Sequence, residues 1–364
     1  MDRLLLAGAL LALVACSAPA ASQPPAAPAA TAPPSAATAP FQPTAAAPSP
    51  VPAPETVRVA HVPSTLFAPL YVAVDKGYLQ ELGIVADLEI VTAGQDAVAL
   101  TGQGQLDATV GGFSAATFNA IQRGIEVKVV SSMGAQPQQG YPSAIMVRKD
   151  LLDGGQVRTI ADLKGRRTAL AGGAGSTGSY WIATKLREAG LGLGDIVIEN
   201  MTFGDMVVAM KQGSIEVAFP PAPFTTEMVR EGVADYFGGP IRPGASAVGT
   251  LYGAQFMRER DAVAKRFLTG LVRGARDLQG ERYYEPENLA IFAKYTRQPV
   301  ESIRSQDRYD YHPDLRPDVE TLLDMQRVFM EAGILTYSPP LPAERVADDQ
   351  YSRAAVAALG PYRP

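Results

Sequence analysis

Hydroxyl, amide and aromatic residues recur in this chain where apolar runs break, and such placement can hold a small molecule. Ser64 and Thr65 follow one run, with Tyr71 on the segment after them. Gln95 follows a second run, and Gly112, Phe113 and Ser114 follow a third. Tyr141 stands just before a fourth. Ser176, Thr177 and Gly178 close a glycine-rich stretch at the start of a helix, and Tyr180 and Trp181 lie just inside it. Free backbone N–H groups and the positive end of a helix dipole suit an anion or a hydroxyl-rich group there. Phe203 and Asp205, then Phe219 and Pro221, complete the candidates. Each serine or threonine has an ordinary alternative as a helix cap or turn residue, and each aromatic as part of a core. Trp181, the only tryptophan, is assigned to the binding side because it adjoins the glycine-rich loop.

These rings and hydroxyls suggest recognition rather than catalysis. The only cysteine is Cys16, which rules out a disulfide framework or a thiolate metal cluster within the chain. The two histidines are His61, inside a strand-like run, and His312, 251 positions later, so no histidine metal site is expected. No Ser-His-Asp or paired-carboxylate arrangement can be read from spacing, and neither a catalytic residue nor a cofactor is assigned. The formal net charge is −5, from 32 Lys+Arg and 37 Asp+Glu. A nucleic-acid role is excluded, because no basic face exists to replace phosphate counterions. The candidate loops hold no Arg or Lys, and a nitrate or small sulfonate would need convergent donors. The helix start at Ser176–Thr177 keeps a sulfonate open. The rings of Tyr71, Phe113, Tyr141, Tyr180, Trp181, Phe203 and Phe219 better suit a flat heterocycle, stacking adding ~0.5–1.5 kcal/mol per pair beyond burial. Ser64, Thr65, Gln95, Ser176 and Asp205 would then bond ring edges or a hydroxylated tail.

The elements that must position these residues alternate between strand and helix. Strands are predicted over 57–62, 86–91, 107–110 and 126–131, with helices over 68–79 and 95–101. A second run begins near Tyr141, with strands over 143–147, 196–200 and 216–219, and a short helix, glycine turn and strand within 160–171. A helix follows the glycine-rich loop to Ala189, and another spans 205–211. Val263, Phe267, Leu271 and Ala275 mark an amphipathic helix, and Val319, Leu322, Leu323, Val328 and Phe329 mark a second. Such alternation implies parallel βαβ units. Their ligands bind beyond the carboxyl ends of the strands, where these candidates fall. No repeat of fixed period is present.

The N-terminus differs in kind. Met1-Asp2-Arg3 precedes an apolar run of 11 residues, Leu4–Val14, short of the ~20 needed to span a bilayer. It suits a signal-peptide core over residues 1–15. Leu13-Val14-Ala15-Cys16 resembles a bacterial lipobox, which implies lipidation at Cys16. Between Ser17 and Pro54 lie 12 prolines, 15 alanines and no charged residue. Residues 16–55 therefore read as a disordered tether, reaching on the order of 120 Å if extended. Residues 55–364, 310 in all, carry 67 of the 69 charged side chains, enough chain for two lobes.

Five segments together resemble a known family. They are His61–Tyr78 (HVPSTLFAPLYVAVDKGY), Gly104–Val110 (GQLDATV), Asp162–Gly165 (DLKG), Gly175–Gly178 (GSTG) and Gly213–Ala218 (GSIEVA). Their order over residues 57 to about 340 is similar to solute-binding lipoproteins of ABC importers, in the group that takes sulfonates, nitrate, thiamine-pyrimidine precursors or riboflavin. The resemblance implies an α/β, two-lobed periplasmic-binding-protein type II fold with hinged lobes and a central ligand cleft. Lobe one is expected over 57–145 and 245–364, and lobe two over 146–244. It further implies a monomer lipid-anchored at the extracytoplasmic face of the cell membrane. It would close on its ligand and deliver it to a permease and, through that, an ATPase, docking by residues such as Glu81 and Glu227. The Gly-Ser-Thr-Gly-Ser-Tyr-Trp loop and the tether resemble riboflavin-binding, RibY-like members, so riboflavin is the expected ligand. Alternatives are a formylaminopyrimidine precursor, an aliphatic sulfonate or nitrate. A lyase of the same fold and a ligand sensor are the alternatives of another class.

Overall fold

In the computed structural model the described residues are 54–91 and 94–364. The expected signal peptide, Cys16 and nearly all of the tether lie outside them. No helix among the described residues is long and apolar enough to cross a membrane.

Two five-stranded sheets carry the fold. The first contains β1 (Glu55–His61), β2 (Ile84–Ile90), β3 (Ala108–Gly112) and β4 (Val127–Ser132). The second contains β5 (Ile145–Arg148), β6 (Arg167–Leu170), β7 (Val197–Asn200), β8 (Val217–Ala218) and β9 (Ala234–Phe237). The chain then returns to the first sheet as β10 (Val248–Gly253). The orders are β2-β1-β3-β10-β4 and β9-β5-β8-β6-β7. The chain thus crosses between sheets twice, after Ser132 and after Phe237.

The sheets are mixed, a correction to purely parallel pairing. β1 runs parallel to β2 and β3, and β6 parallel to β7 and β8. β10 is antiparallel to both β3 and β4, and β5 to both β8 and β9. Neither β9 nor β10 was foreseen. Val-Gly-Thr-Leu-Tyr-Gly has little strand signature, yet every residue of β10 is buried. Its glycines are needed for close backbone approach: a Cβ on Gly249 would lie 2.0 Å from the Ser131 carbonyl oxygen.

Seven helices matter for the site: α1 (Ala68–Asp75), α2 (Gly94–Gly102), α3 (Ala115–Gln122), α4 (Thr177–Leu186), α5 (Phe203–Lys211), α6 (Asp261–Asp277) and α7 (Val319–Glu331). The helix predicted over 68–79 is interrupted, because Gly77 takes φ 76° and a separate turn begins at Tyr78. In α6, Val263, Ala264, Phe267, Leu268, Leu271, Val272 and Ala275 form one buried stripe against α1 and the first sheet. α7 buries Leu322, Met325, Val328 and Phe329 in a core shared with Phe118 of α3 and Tyr180 and Trp181 of α4. A smaller, methionine-rich core packs Met146, Met206, Met210 and Met228 on the second sheet.

Candidate functional site

A cavity of about 1030 Å³ opens where loops from both sheets meet. From the first sheet come Val62, Pro63 and Ser64 after β1, Ile90 and Val91 at the end of β2, and Gly112 and Ser114 at the end of β3. From the second come Ser176, Thr177, Gly178 and Trp181 after β6. Asn200, Met201, Thr202, Phe203 and Asp205 follow from β7, and Phe219 with Pro221–Phe224 from β8. This is the side expected for α/β sheets, beyond the carboxyl ends of the strands.

Of the residues named from sequence, Ser64, Gly112, Ser114, Ser176, Thr177, Gly178, Trp181, Phe203, Asp205, Phe219 and Pro221 line this cavity. Gln95 lies in α2, between the lining residues Gly94 and Asp96, but its side chain is outside the described set.

The other five are elsewhere. Tyr71 is fully buried, and its ring stacks on Tyr295 at 4.6 Å. Its hydroxyl donates to the Val62 carbonyl (2.9 Å) and accepts from the Ser64 N–H (3.3 Å), so it props the loop that presents Ser64. Burial pushes that hydroxyl's pKa upward. Thr65 turns inward, its carbonyl accepting from the Tyr311 hydroxyl. Phe113 is core, but its carbonyl accepts from the Thr177 hydroxyl at 2.7 Å, tying the loop after β3 to the start of α4. Tyr141 stacks on Tyr236 at 5.0 Å, and its N–H donates to Asp307. Tyr180 is fully buried and donates to Asp324 at 3.1 Å. Thr65, Phe113 and Tyr141 sit in the connections beside strands, and Tyr71 and Tyr180 in the helices that follow, but the backbone at all five turns the side chains into packing.

Among the described residues seven hydroxyl side chains line the cavity, and six are already engaged within the protein. Ser64 Oγ accepts from the Leu66 N–H, and Ser143 Oγ bonds the Tyr309 hydroxyl. Ser176 caps α4 by accepting from the Ser179 N–H at 3.2 Å. Thr177 donates to Phe113, Thr202 to the Asp205 carboxylate at 2.7 Å, and Thr296 to the Phe292 carbonyl. The seventh, Ser114 Oγ, is buried without a partner. Two carboxylates, Asp96 and Asp205, are in the wall, and among the described residues no Lys, Arg or His is. Five rings line it: Phe67, Trp181, Phe203, Phe219 and Phe224. Phe203 and Phe224 stand 5.7 Å apart. Among the described residues no group of three or more His, Cys, Asp or Glu is placed to hold a metal ion.

Sequence reasoning missed Phe67, Gln136, Asn200, Met201, Phe224, Thr296 and Gln298. Asn200 and Met201 follow from applying the loop rule at the very end of β7, whereas Phe224 lies six residues beyond β8, at the start of the next helix. Thr296 and Gln298 do not follow from it, since they flank Arg297, whose φ of 58° turns the chain at the end of a helix that comes after the last strand of either sheet in the sequence.

A family model described as NMT1/THI5 like matches residues 64–280. The riboflavin-binding protein RibY of Chloroflexus aurantiacus is 26% identical over 213 residues, which are 56% of this chain and 52% of that protein. The chain thus spans about half the length of this curated relative. Among solved structures, the nitrate-binding protein NrtA of Synechocystis PCC 6803 aligns over 84% of this chain and 89% of its own, with a TM-score of 0.70 and 15% identity. The alkanesulfonate-binding protein SsuA of Xanthomonas axonopodis pv. citri, bound to MOPS, aligns over 81% and 99%, with a TM-score of 0.64 and 17% identity. The desulfurization enzyme DSZB shares the fold at a TM-score of 0.55 and 14% identity over 84% and 99%.

Proposed function

This chain belongs to the NMT1/THI5-like family, and we propose from that premise that it captures an uncharged, flat heterocycle, riboflavin in the first instance, for an ABC importer. One observation carries the reading: a cavity of about 1030 Å³ that the described residues wall with five aromatic rings and no cationic side chain. Rings in such a wall stack on a planar solute, and each pair contributes ~0.5–1.5 kcal/mol beyond burial. A volume near 1000 Å³ lies at the upper end of the range for small-molecule sites. The weak similarity to RibY supports the vitamin, and the arrangement of two sheets about a cleft supports binding by lobe closure. A permease and its ATPase would be the partners, and anchorage through Cys16 would hold the protein beside them. Glu81, one candidate for docking, is already paired with Arg273 at 2.6 Å.

A nitrate or sulfonate is the second reading, favoured by α3 and α4 starting at the cavity wall. An enzymatic role is disfavoured by a wall whose hydroxyls are nearly all committed to structural bonds. Titration separates the readings. Trp181, the only tryptophan, lies in the wall and reports occupancy directly. Riboflavin should quench Trp181 emission saturably, lose its own fluorescence, be recovered unchanged and raise the melting temperature. A shift produced by nitrate, an alkanesulfonate or a formylaminopyrimidine, with none from riboflavin, would refute the vitamin assignment.

A further inference from the structure

Ser114 stands where β3 gives way to α3, and only 2% of its surface is exposed. A serine there ordinarily caps the helix, its Oγ accepting an N–H of the first turn. That is not its state here. The Thr117 N–H donates to the Ser114 carbonyl oxygen at 3.0 Å, and the Thr117 hydroxyl accepts from the Ser114 N–H at 3.4 Å. The Ser114 hydroxyl is left over, buried and without a partner. Groups of this kind are rare in native proteins, because an unmade hydrogen bond in the interior is expensive. The other six hydroxyls that the described residues bring to the cavity wall are all engaged within the protein.

The chemistry of the missing partner follows from the surroundings. The hydroxyl sits at the positive end of α3, among N–H groups that the helix itself leaves free, and this favours an acceptor atom. Among the described residues the wall holds no cationic side chain. An anion would find no counter-charge there, whereas a carbonyl oxygen or ring nitrogen needs none. We propose that Ser114 is the specificity-determining residue of this cavity, donating its hydroxyl to an uncharged carbonyl oxygen or ring nitrogen of the solute. This rests on the reading of the cavity as the solute site.

The test is Ser114→Ala in the full chain, followed by thermal unfolding and by titration with riboflavin and riboflavin 5′-phosphate. A structural cap would cost several degrees of melting temperature in the unliganded variant. A hydroxyl held for solute instead leaves that temperature within about 1 °C of the parent, while riboflavin affinity falls about tenfold. The parent should also take riboflavin more tightly than its phosphate. A melting temperature lowered by several degrees with unchanged affinity overturns the proposal. So does equal or tighter binding of the phosphate. Should riboflavin not bind the parent at all, the vitamin reading fails, and the same variant is compared with nitrate, an alkanesulfonate and an uncharged formylaminopyrimidine. Tightest binding by an anion then overturns the inference. Binding of the pyrimidine that Ser114→Ala weakens sustains it.

Discussion

His61 ends β1 just before the loop that presents Ser64, and only 3% of it is exposed. Its Nδ1 lies 3.1 Å from the Tyr71 oxygen, whose own proton goes to the Val62 carbonyl, so the ring nitrogen acts as donor. Burial lowers the His61 pKa below 6.5. The unfolded chain therefore binds the proton first as pH falls. The stability this neutral ring contributes is full above about pH 6.5 and is lost as pH drops from there towards the lowered pKa. His312 shifts in the same direction, its Nδ1 accepting from the Asp314 N–H. The melting temperature should fall between pH 7.5 and 5.5, and the slope should be shallower in His61→Gln. Equal slopes in the two proteins would remove His61 from the account. At this scale much of the candidate site was legible. The rule that ligands meet loops after strands led to Ser114, Trp181, Phe203 and Phe219. It failed for Tyr71, Phe113 and Tyr180, because side-chain direction depends on local backbone that residue type does not specify.

Gly274 of α6 shows how an element is fitted to its neighbour. It lies on the buried stripe of that helix, and a Cβ there would come 2.3 Å from the Pro69 carbonyl oxygen of α1. Two effects compete in Gly274→Ala. Helix propensity favours alanine by about 1 kcal/mol. Overpacking against a backbone oxygen, which cannot swing away as a side chain can, costs ~1–3 kcal/mol and more when the main chain must shift. The second should win, giving a net loss of about 1–2 kcal/mol in denaturant unfolding. Gly192→Ala is the control: its φ is −131° and nothing lies within 4 Å, so it should change stability by less than about 0.5 kcal/mol. If both variants match the parent, the close approach of α1 and α6 does not limit packing. Elements of this kind were the easier part of the sequence. The stripe from Val263 to Ala275 repeats with helical period, and β1 combines a buried apolar set with a proline stop. β9 and β10 were missed because pairing partners supply their order: β10 is held between β3 and β4, and its glycines are required by contacts 118 or more residues away in sequence.

At the scale of the whole molecule, α7 joins what the two sheets separate. Phe329 meets Phe118 of α3 at 6.4 Å, and the same helix carries Asp324 towards α4. The Asp324 carboxylate accepts from Arg242 at 2.8 Å, Arg187 at 3.1 Å and the Tyr180 hydroxyl at 3.1 Å. Arg242 belongs to the second crossing between sheets, where its φ is 40°, and it also reaches Glu320 at 3.0 Å. Arg187 reaches Glu331 at 2.8 Å. One carboxylate thus fastens a helix, whose core takes in strands of both sheets, to the segment through which the chain crosses. Asp324→Asn keeps the size and one acceptor but removes the charge facing two guanidinium groups. Fully buried, such a loss would cost ~3–5 kcal/mol. The Asp324 side chain is 17% exposed and its partners 25–33%, so screening brings the expected cost nearer 1–2 kcal/mol. That corresponds to a fall in melting temperature of about 2–8 °C. The gap between variant and parent should narrow at 1 M salt, where charge interactions are screened within ~3 Å. The distinguishing observable is orientation. If α7 holds the two sheets at a fixed angle, solution scattering from Asp324→Asn without solute should give a larger radius of gyration than the parent, and saturating solute should bring the two together. A variant that is less stable yet has the parent's radius would confine Asp324 to local packing, and the orientation of the sheets would then rest on the crossings alone.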